Sequence, residues 1–469
     1  MIFPVLAAVL GILAFLPFDY FWLFSFIFLA PLFIFFIREN NFWRLIIGVI
    51  IFRLIISSGT VYYTLEPMVW GLSILIFLSL PVFVFLLKRG FPKLIIFFGE
   101  PAGENLFSFL LLFFLPFVWT FFDHFQARYS LLPNYITTAG NSLGSSPFLG
   151  LAGGGLIGLT FFAALINALI AAIFVLNIKK NNFAAVVAVI IILLSGGWRI
   201  SQFELRKNAR NYADLENSLK IAVVSANEEF DRQSFGGLEN DLANGEKIDL
   251  LILPEGILKN SAKADFFQNL AKELNLKLVA VLDTKQEGKR YNSSLLIDNQ
   301  GEIIGVHHKS RLTFMGEYWP FKNWRPFYLN WLKKNNPEIS NYVIFNPDNP
   351  YIRGEKNLLT IRGQSASVDF ASLICLETHY PADLKKYKKM GVKFFISQTS
   401  YRWVDLGLKH LLYLTGNLKK IEAVWLKTPI VFAGIKDFAG IVKPDGKTNL
   451  IDFESRNKNY GLFTGEIRY

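Results

Sequence analysis

The feature that most limits how this chain can fold is its uneven charge. Residues 1–199 hold six acids (Asp19, Glu39, Glu66, Glu100, Glu104, Asp123) and ten Lys or Arg, while 31 of the 37 acids and 38 of the 48 basic residues follow Arg199. A stretch of that length with so few charges cannot face water over its whole surface, so a bilayer is its natural solvent. Hydrophobic residues make up 52% of the chain, above the usual share for a water-soluble protein. The sequence therefore reads as a transmembrane helical domain over residues 1–199, a polar linker over 200–218 and a soluble domain over 219–469.

Apolar segments recur at Ile2–Pro17, Tyr20–Ile37, Leu45–Tyr63, Val69–Leu87, Leu106–Phe122, Gly155–Leu176 and Ala184–Gly197, which predicts about seven spanning helices. The first lacks a charged leader and a small-residue cleavage site, so it reads as a retained helix. Cations cluster in alternate loops (Arg38 and Arg44; Lys88, Arg89 and Lys93; Lys179 and Lys180), whereas Asp19, Glu66 and Asp123 fall in the others. The excess of positive charge on the cytoplasmic side then places the N-terminus in the cytoplasm and everything after Arg199 outside. "LIIFFG" (Leu94–Gly99) could be a re-entrant piece. Arg53 lies inside the third span, where an arginine either pairs helices or marks a site. "GLAGGGLIGL" (Gly150–Leu159) lacks the Lys-Ser/Thr ending of a phosphate loop and reads as close helix packing.

After residue 218 the pattern turns to short apolar runs with turns between them. "KIAVVSAN" (Lys220–Asn227), "IDLLILPEG" (Ile248–Gly256), "KLVAVLD" (Lys277–Asp283), "SSLLIDNQGEIIGVHHK" (Ser293–Lys309), "FASLICLE" (Phe370–Glu377) and "KFFISQ" (Lys393–Gln398) predict strands, the fourth a hairpin turning at "DNQG". Ala264–Leu274, Ala382–Lys389 and Leu408–Lys427 predict helices. Mixed elements of this kind imply a layered α/β domain. The chain's net charge of +11 is scattered, which disfavours nucleic acid and leaves anionic lipid headgroups as the counter-charge.

Cys375 is the one cysteine in 469 residues, so no internal disulfide explains it. Taken singly, a cysteine at the end of an apolar strand is an inert small hydrophobe, Glu255 after "LILP" a solvated acid, and Lys309 after a strand a surface cation. Taken together they supply what a thiol nucleophile needs: a base for its proton and a cation for the developing oxyanion. His307, His308, His379 and His410 leave a Cys-His pair open as well.

A glutamate after "LP", a lysine before "RLTFMGEYWP" and a "C-x-E" at a strand end, in that order, resemble the Glu-Lys-Cys triad of the nitrilase, or carbon–nitrogen hydrolase, superfamily. With several preceding spans the chain is similar, within that superfamily, to the apolipoprotein N-acyltransferases. Gly11–Leu32, Gly158–Ala172, "YNSSLLID" (Tyr291–Asp298) and His410–Gly446 also look like segments of that family. The resemblance implies an α-β-β-α sandwich catalytic domain, with Glu255 as general base, Lys309 as oxyanion stabiliser, Cys375 as acyl carrier, and Glu317 and Glu377 as supporting acids. It further implies a phospholipid acyl donor, a diacylglyceryl-cysteine lipoprotein acceptor, and no metal or soluble cofactor.

Three departures from the resembled pattern stand out. "NEEFDRQSF" (Asn227–Phe235) lacks the tryptophan usual there, "SQTSYR" (Ser397–Arg402) replaces the familiar "S-N-D-A-W-F", and a closing membrane helix is implied where the sequence stops at Tyr469. The first two would alter acceptor selectivity. The rival reading is a membrane-tethered amidase or nitrilase-type hydrolase, or an acyltransferase with another acceptor. A catalytically dead scaffold would break the triad, and a transporter would carry more intramembrane charge than Arg53.

Overall fold

A computed structural model describes residues 1–60, 74–97, 104–129, 135–176, 180–258, 264–321, 324–325, 329–335, 343–345, 349–362, 367–404, 407–451 and 460–469. The chain divides into two compact units, one of Met1–Lys207 with Lys409–Trp425, the other of Asn208–Leu408 with Leu426–Tyr469. The sequence places Lys409–Trp425 late in the soluble half, yet by packing it groups with the N-terminal helices. The segment read as a polar linker is helical as far as Ala213, as the end of the helix Lys180–Ala213.

The first unit is built from apolar helices. Among the described residues five runs are long and apolar enough to cross a membrane: Phe21–Arg38, Phe42–Thr60, Ser108–Tyr129, Leu149–Val175 and Phe183–Ala213. The described residues thus confirm five spans and not the seven expected. Ile2–Phe15 is a 14-residue helix, too short to span unaided. The segment read as Val69–Leu87 lies partly outside the described residues, and the helix Ser79–Phe97 that continues it carries Lys88, Arg89 and Lys93 in its sequence.

Helices in lipid must satisfy every backbone group internally and pack through small residues. The start of the helix Leu29–Arg38 shows the first requirement: Oδ1 of Asn167 accepts from the N–H groups of Leu29 (2.8 Å) and Ala30 (2.9 Å), while its Nδ2 donates to the Ser25 carbonyl (2.7 Å). Gly150 shows the second, since a Cβ there would stand 2.1 Å from the Ser201 carbonyl oxygen. Buried Arg53 donates to Gln126 (3.2 Å) and stacks over Phe77, so it joins helices.

The second unit holds one twelve-stranded sheet, in the order β5-β4-β3-β2-β1-β9-β8-β7-β6, with β12 beside β1 and a β10–β11 hairpin beside β9. The strands are β1 Ser218–Ala226, β2 Leu250–Glu255, β3 Lys277–Gln286, β4 Lys289–Ile297, β5 Ile303–His308, β6 Leu359–Arg362, β7 Ser367–Ile374, β8 Phe394–Ser400, β9 Ile430–Ile435, β10 Ala439–Val442, β11 Thr448–Ile451 and β12 Tyr460–Arg468. The sheet folds back on itself. Ile221, Val223, Ile252 and Val279 from one half share a buried core with Phe370, Phe394, Ile396 and Val431 from the other. The alternate residues Val224, Leu251, Leu253 and Leu278 pack outward against Phe235, Leu238, Phe267 and Leu270 of two helices. This is the nitrilase-type layering. The β4–β5 hairpin turns at Asp298–Gly301, where Oδ1 of Asp298 accepts from the N–H groups of Gln300 and Glu302 and Gly301 takes a φ of +82°, a conformation that favours glycine.

Candidate active site

Parallel strands deliver their C-terminal ends to one edge of a sheet, where sites tend to form. Glu255 is the last residue of β2, Lys309 directly follows β5, and Cys375 directly follows β7. The structure brings all three into one cluster. Nζ of Lys309 donates to Oε1 of Glu317 (2.9 Å) and lies 3.8 Å from Oε1 of Glu255, and Glu255 and Cys375 stand close enough to act on each other's ionisation. Lys309 is only 1% exposed, so its charge is held by these carboxylates and not by water.

Cys375 sits at φ +52°, left-handed backbone that a non-glycine residue adopts only when its surroundings impose it. The tight turn Cys375–His379 starts here, lifting the side chain off the strand, and directs the Leu376 N–H at the sulfur. Burial pushes the thiol well above its ordinary pKa and the facing Glu255 adds to this, with Lys309 pulling the other way. Burial also raises Glu255, against the pull of Lys309. Lys309 is itself raised: burial opposes its charge, but Glu317 and Glu255 outweigh it. The site thus pairs a thiol that holds its proton more tightly than usual with a glutamate of raised basicity and a lysine that keeps its charge. That arrangement can deprotonate a thiol on demand and stabilise an oxyanion.

Glu317 and Glu377 do different things. Oε2 of Glu317 accepts from the Thr313 N–H (2.7 Å), which fixes the carboxylate that fixes Lys309. Glu377 does not bond to the lysine side chain. It accepts from the N–H and Oγ of Ser310 (2.8 and 2.6 Å), from the Ile374 N–H (2.9 Å) and from Nε2 of His307 (3.2 Å). It thereby ties the residue after Lys309 to the residue before Cys375. Burial opposes its ionisation, yet His307 and these donors hold its carboxyl down at about 2. Nδ1 of His307 faces Oδ1 of Asn357 (2.8 Å), whose Nδ2 donates to the Val306 carbonyl (2.7 Å). With acceptors at both ring nitrogens, and despite burial, His307 is held above its ordinary pKa.

Of the four histidines weighed as a base, His307 and His308 are engaged elsewhere and His410 lies in the other unit. The groups acting on the thiol are Glu255, Lys309, Glu317 and the Leu376 N–H. His307 is engaged with Glu377, and His308 bonds Ser293 (2.7 Å) and stacks on Tyr291.

The residue that reading by sequence missed is Asn292. Its Nδ2 donates to Oε1 of both Glu255 (2.9 Å) and Glu317 (2.8 Å), and its carbonyl accepts from the Lys309 N–H (2.8 Å). The one available signal was its place in "YNSSLLID", a polar residue opening an apolar strand.

The carbon-nitrogen hydrolase family matches residues 172–419, more than half of the chain, and the protein belongs to that family. Within it, the chain is similar to two proteins named apolipoprotein N-acyltransferase. One, apolipoprotein N-acyltransferase 2 of Treponema denticola, is 26% identical over 161 residues, 34% of this chain and 28% of that protein. The other, from Chlorobaculum tepidum, is 22% identical over 333 residues, 62% of this chain and 59% of that protein. The chain thus spans less than two thirds of either relative. Among solved structures, a nitrilase-superfamily member from Saccharomyces cerevisiae aligns with 54% of this chain and 91% of its own, at 16% identity and a TM-score of 0.39.

Proposed function

We propose that the protein is a membrane N-acyltransferase working through a Cys375 thioester, with a phospholipid as donor and the α-amino group of a diacylglyceryl-cysteine lipoprotein as acceptor. The observation that carries the reading is a buried lysine held by two carboxylates, Glu255 and Glu317, at the strand ends that also deliver Cys375. In the first half-reaction Glu255 takes the thiol proton and the sulfur attacks the ester carbonyl. Lys309 and the Leu376 N–H meet the oxyanion. The ester C–O bond then breaks, and Glu255 returns its proton to the departing lysophospholipid hydroxyl. In the second, Glu255 accepts a proton from the attacking amine, the C–S bond breaks, an amide forms and the thiol is restored.

Glu317 and Asn292 hold Lys309 and Glu255 in register, while Glu377 and His307 hold the two strand ends that carry Lys309 and Cys375. The helices of the first unit suit a lipid donor, and the loop charges favour an extracytoplasmic catalytic unit in the inner membrane. The chemistry asks for no metal or soluble cofactor. The test is to supply phospholipid with a diacylglyceryl-cysteine peptide and follow the N-acylated peptide by mass spectrometry. Free fatty acid as the main product would replace the transferase with a tethered hydrolase.

A further inference from the structure

The two segments that depart from the resembled pattern meet each other beside the proposed base. Arg402 lies just past the end of β8, and its Nη1 forms an ion pair with Oε1 of Glu229. Its Nε donates to Oγ of Ser400 (3.3 Å). Its Nη2 lies 3.3 Å from where a Cβ on Gly256 would stand, and Gly256, at φ +67°, is the residue after Glu255. The Glu229 loop is anchored to this same stretch, since the Phe230 N–H donates to the Ile257 carbonyl (2.6 Å). β8 runs parallel to β7, with Ile374 opposite Gln398, so Arg402 and Cys375 leave neighbouring strands at the same end.

We propose that Arg402, poised by Glu229, is a specificity-determining residue that recognises the phosphate of the acyl donor. The inference rests on the acyl-transfer reading and adds to it the group that tells a phospholipid from other esters. A bare structural role is weakly motivated: the Arg402 and Glu229 side chains are 34% and 23% exposed, and an ion pair in contact with solvent contributes no more than about 1 kcal/mol to a fold. The guanidinium is also not used up. Among the described residues Nη1 and Nε have acceptors and Nη2 has none, which leaves donor hydrogens of a planar fork uncommitted beside Gly256. Arginine pairs with phosphate oxygens through that fork, in charge-assisted bonds stronger than neutral ones. Glu229 is the counter-ion that holds the side chain extended until the phosphate arrives.

The test compares two donors on the full-length protein in detergent micelles: a diacyl phospholipid, and a p-nitrophenyl ester of the same fatty acid, which has no phosphate. Acyl-enzyme formation is timed by intact mass for the wild type, Arg402→Gln and Glu229→Gln. Arg402→Gln is expected to raise the KM for the phospholipid about tenfold, the loss of one charge-assisted pair, while acylation by the p-nitrophenyl ester stays within about twofold. Glu229→Gln is expected to lower the KM for the phospholipid, because the competing counter-ion is gone. Equal loss with both donors in Arg402→Gln, or a Glu229→Gln defect matching it, would make the pair a support for Glu255 and overturn the proposal, as would an unchanged phospholipid KM. A wild type acylated by neither donor overturns the acyl-transfer reading itself, whereas one acylated by both, with Arg402→Gln indifferent, overturns only this inference.

Discussion

The two units put their polar residues to opposite uses. In the N-terminal unit several buried polar groups serve packing: Asn167 closes the start of a helix, Ser25 bonds Ser142, and Arg53 reaches Gln126. In the C-terminal unit buried polar groups converge on one place, with Glu255, Asn292, Lys309, Glu317, Glu377 and His307 linked through shared partners. Where the solvent is lipid, a polar side chain is needed wherever backbone would go unsatisfied, and such places are scattered. Where the solvent is water, burying charge is worthwhile only where chemistry uses it, so the buried charges cluster.

The comparison can be broken at either unit. Lys309→Met and Glu255→Gln should each lower acyl-enzyme formation by about 10³-fold, with the far-UV circular dichroism unchanged, since each removes a charge that acts on the reacting atoms. A loss smaller than about tenfold would show that the cluster is structural, like the polar groups of the other unit. Glu377→Gln sharpens the same point through stability. It leaves His307 buried opposite an amide, and breaking such a pair costs about 3–5 kcal/mol, read as a lowered midpoint in thermal or denaturant unfolding.

Asn167→Leu probes the N-terminal unit. It strips the acceptor from two backbone N–H groups and should destabilise by about 1–3 kcal/mol, leaving the thioester chemistry of the surviving folded fraction intact. A fall in acylation per folded molecule would mean that the units do not divide their labour as described.

Acidity sharpens the contrast further. Glu377 is held at about 2 against an ordinary 4.5, so the stability it contributes is present above pH 4.5 and fades as the pH falls toward 2. His307 is raised, so its share is full below its unfolded pKa and is lost as the pH rises through its folded one. In Glu377→Gln both dependences should flatten. Acylation should rise with pH through the raised pKa of Glu255, and, because Lys309 is also raised, should not fall within the ordinary lysine range. The smallest effect belongs to the exposed pair Lys220–Glu246 (3.0 Å), where Glu246→Gln should shift stability by less than about 0.5 kcal/mol.

The soluble fold was legible where runs are apolar and bounded by turns. The predicted strands and the hairpin at "DNQG" lie within a few residues of β1 to β5, β7 and β8, because burial on both faces leaves an unbroken apolar run. β6 and β11, at four residues each, were too short to signal, and the helix Arg232–Ala243 was hidden in a polar stretch whose start is set by a side-chain cap from Asp231 to the Ser234 N–H. In the membrane unit, composition found the apolar segments, but hydropathy alone does not tell a helix that crosses from one of 14 residues such as Ile2–Phe15. In the site, Glu255, Lys309 and Cys375 were legible as strand-end residues of fitting chemistry. Asn292 was not, since its importance comes from partners 25 and 37 positions away in sequence.

The account stands most directly on Cys375 carrying the acyl group, and intact-mass spectrometry after incubation with phospholipid alone tests it. A thioester-sized adduct on the wild type, absent from Cys375→Ala and discharged by a diacylglyceryl-cysteine peptide, is the predicted result. A wild type that gains no mass with any phospholipid, or gains the same mass as Cys375→Ala, would contradict it.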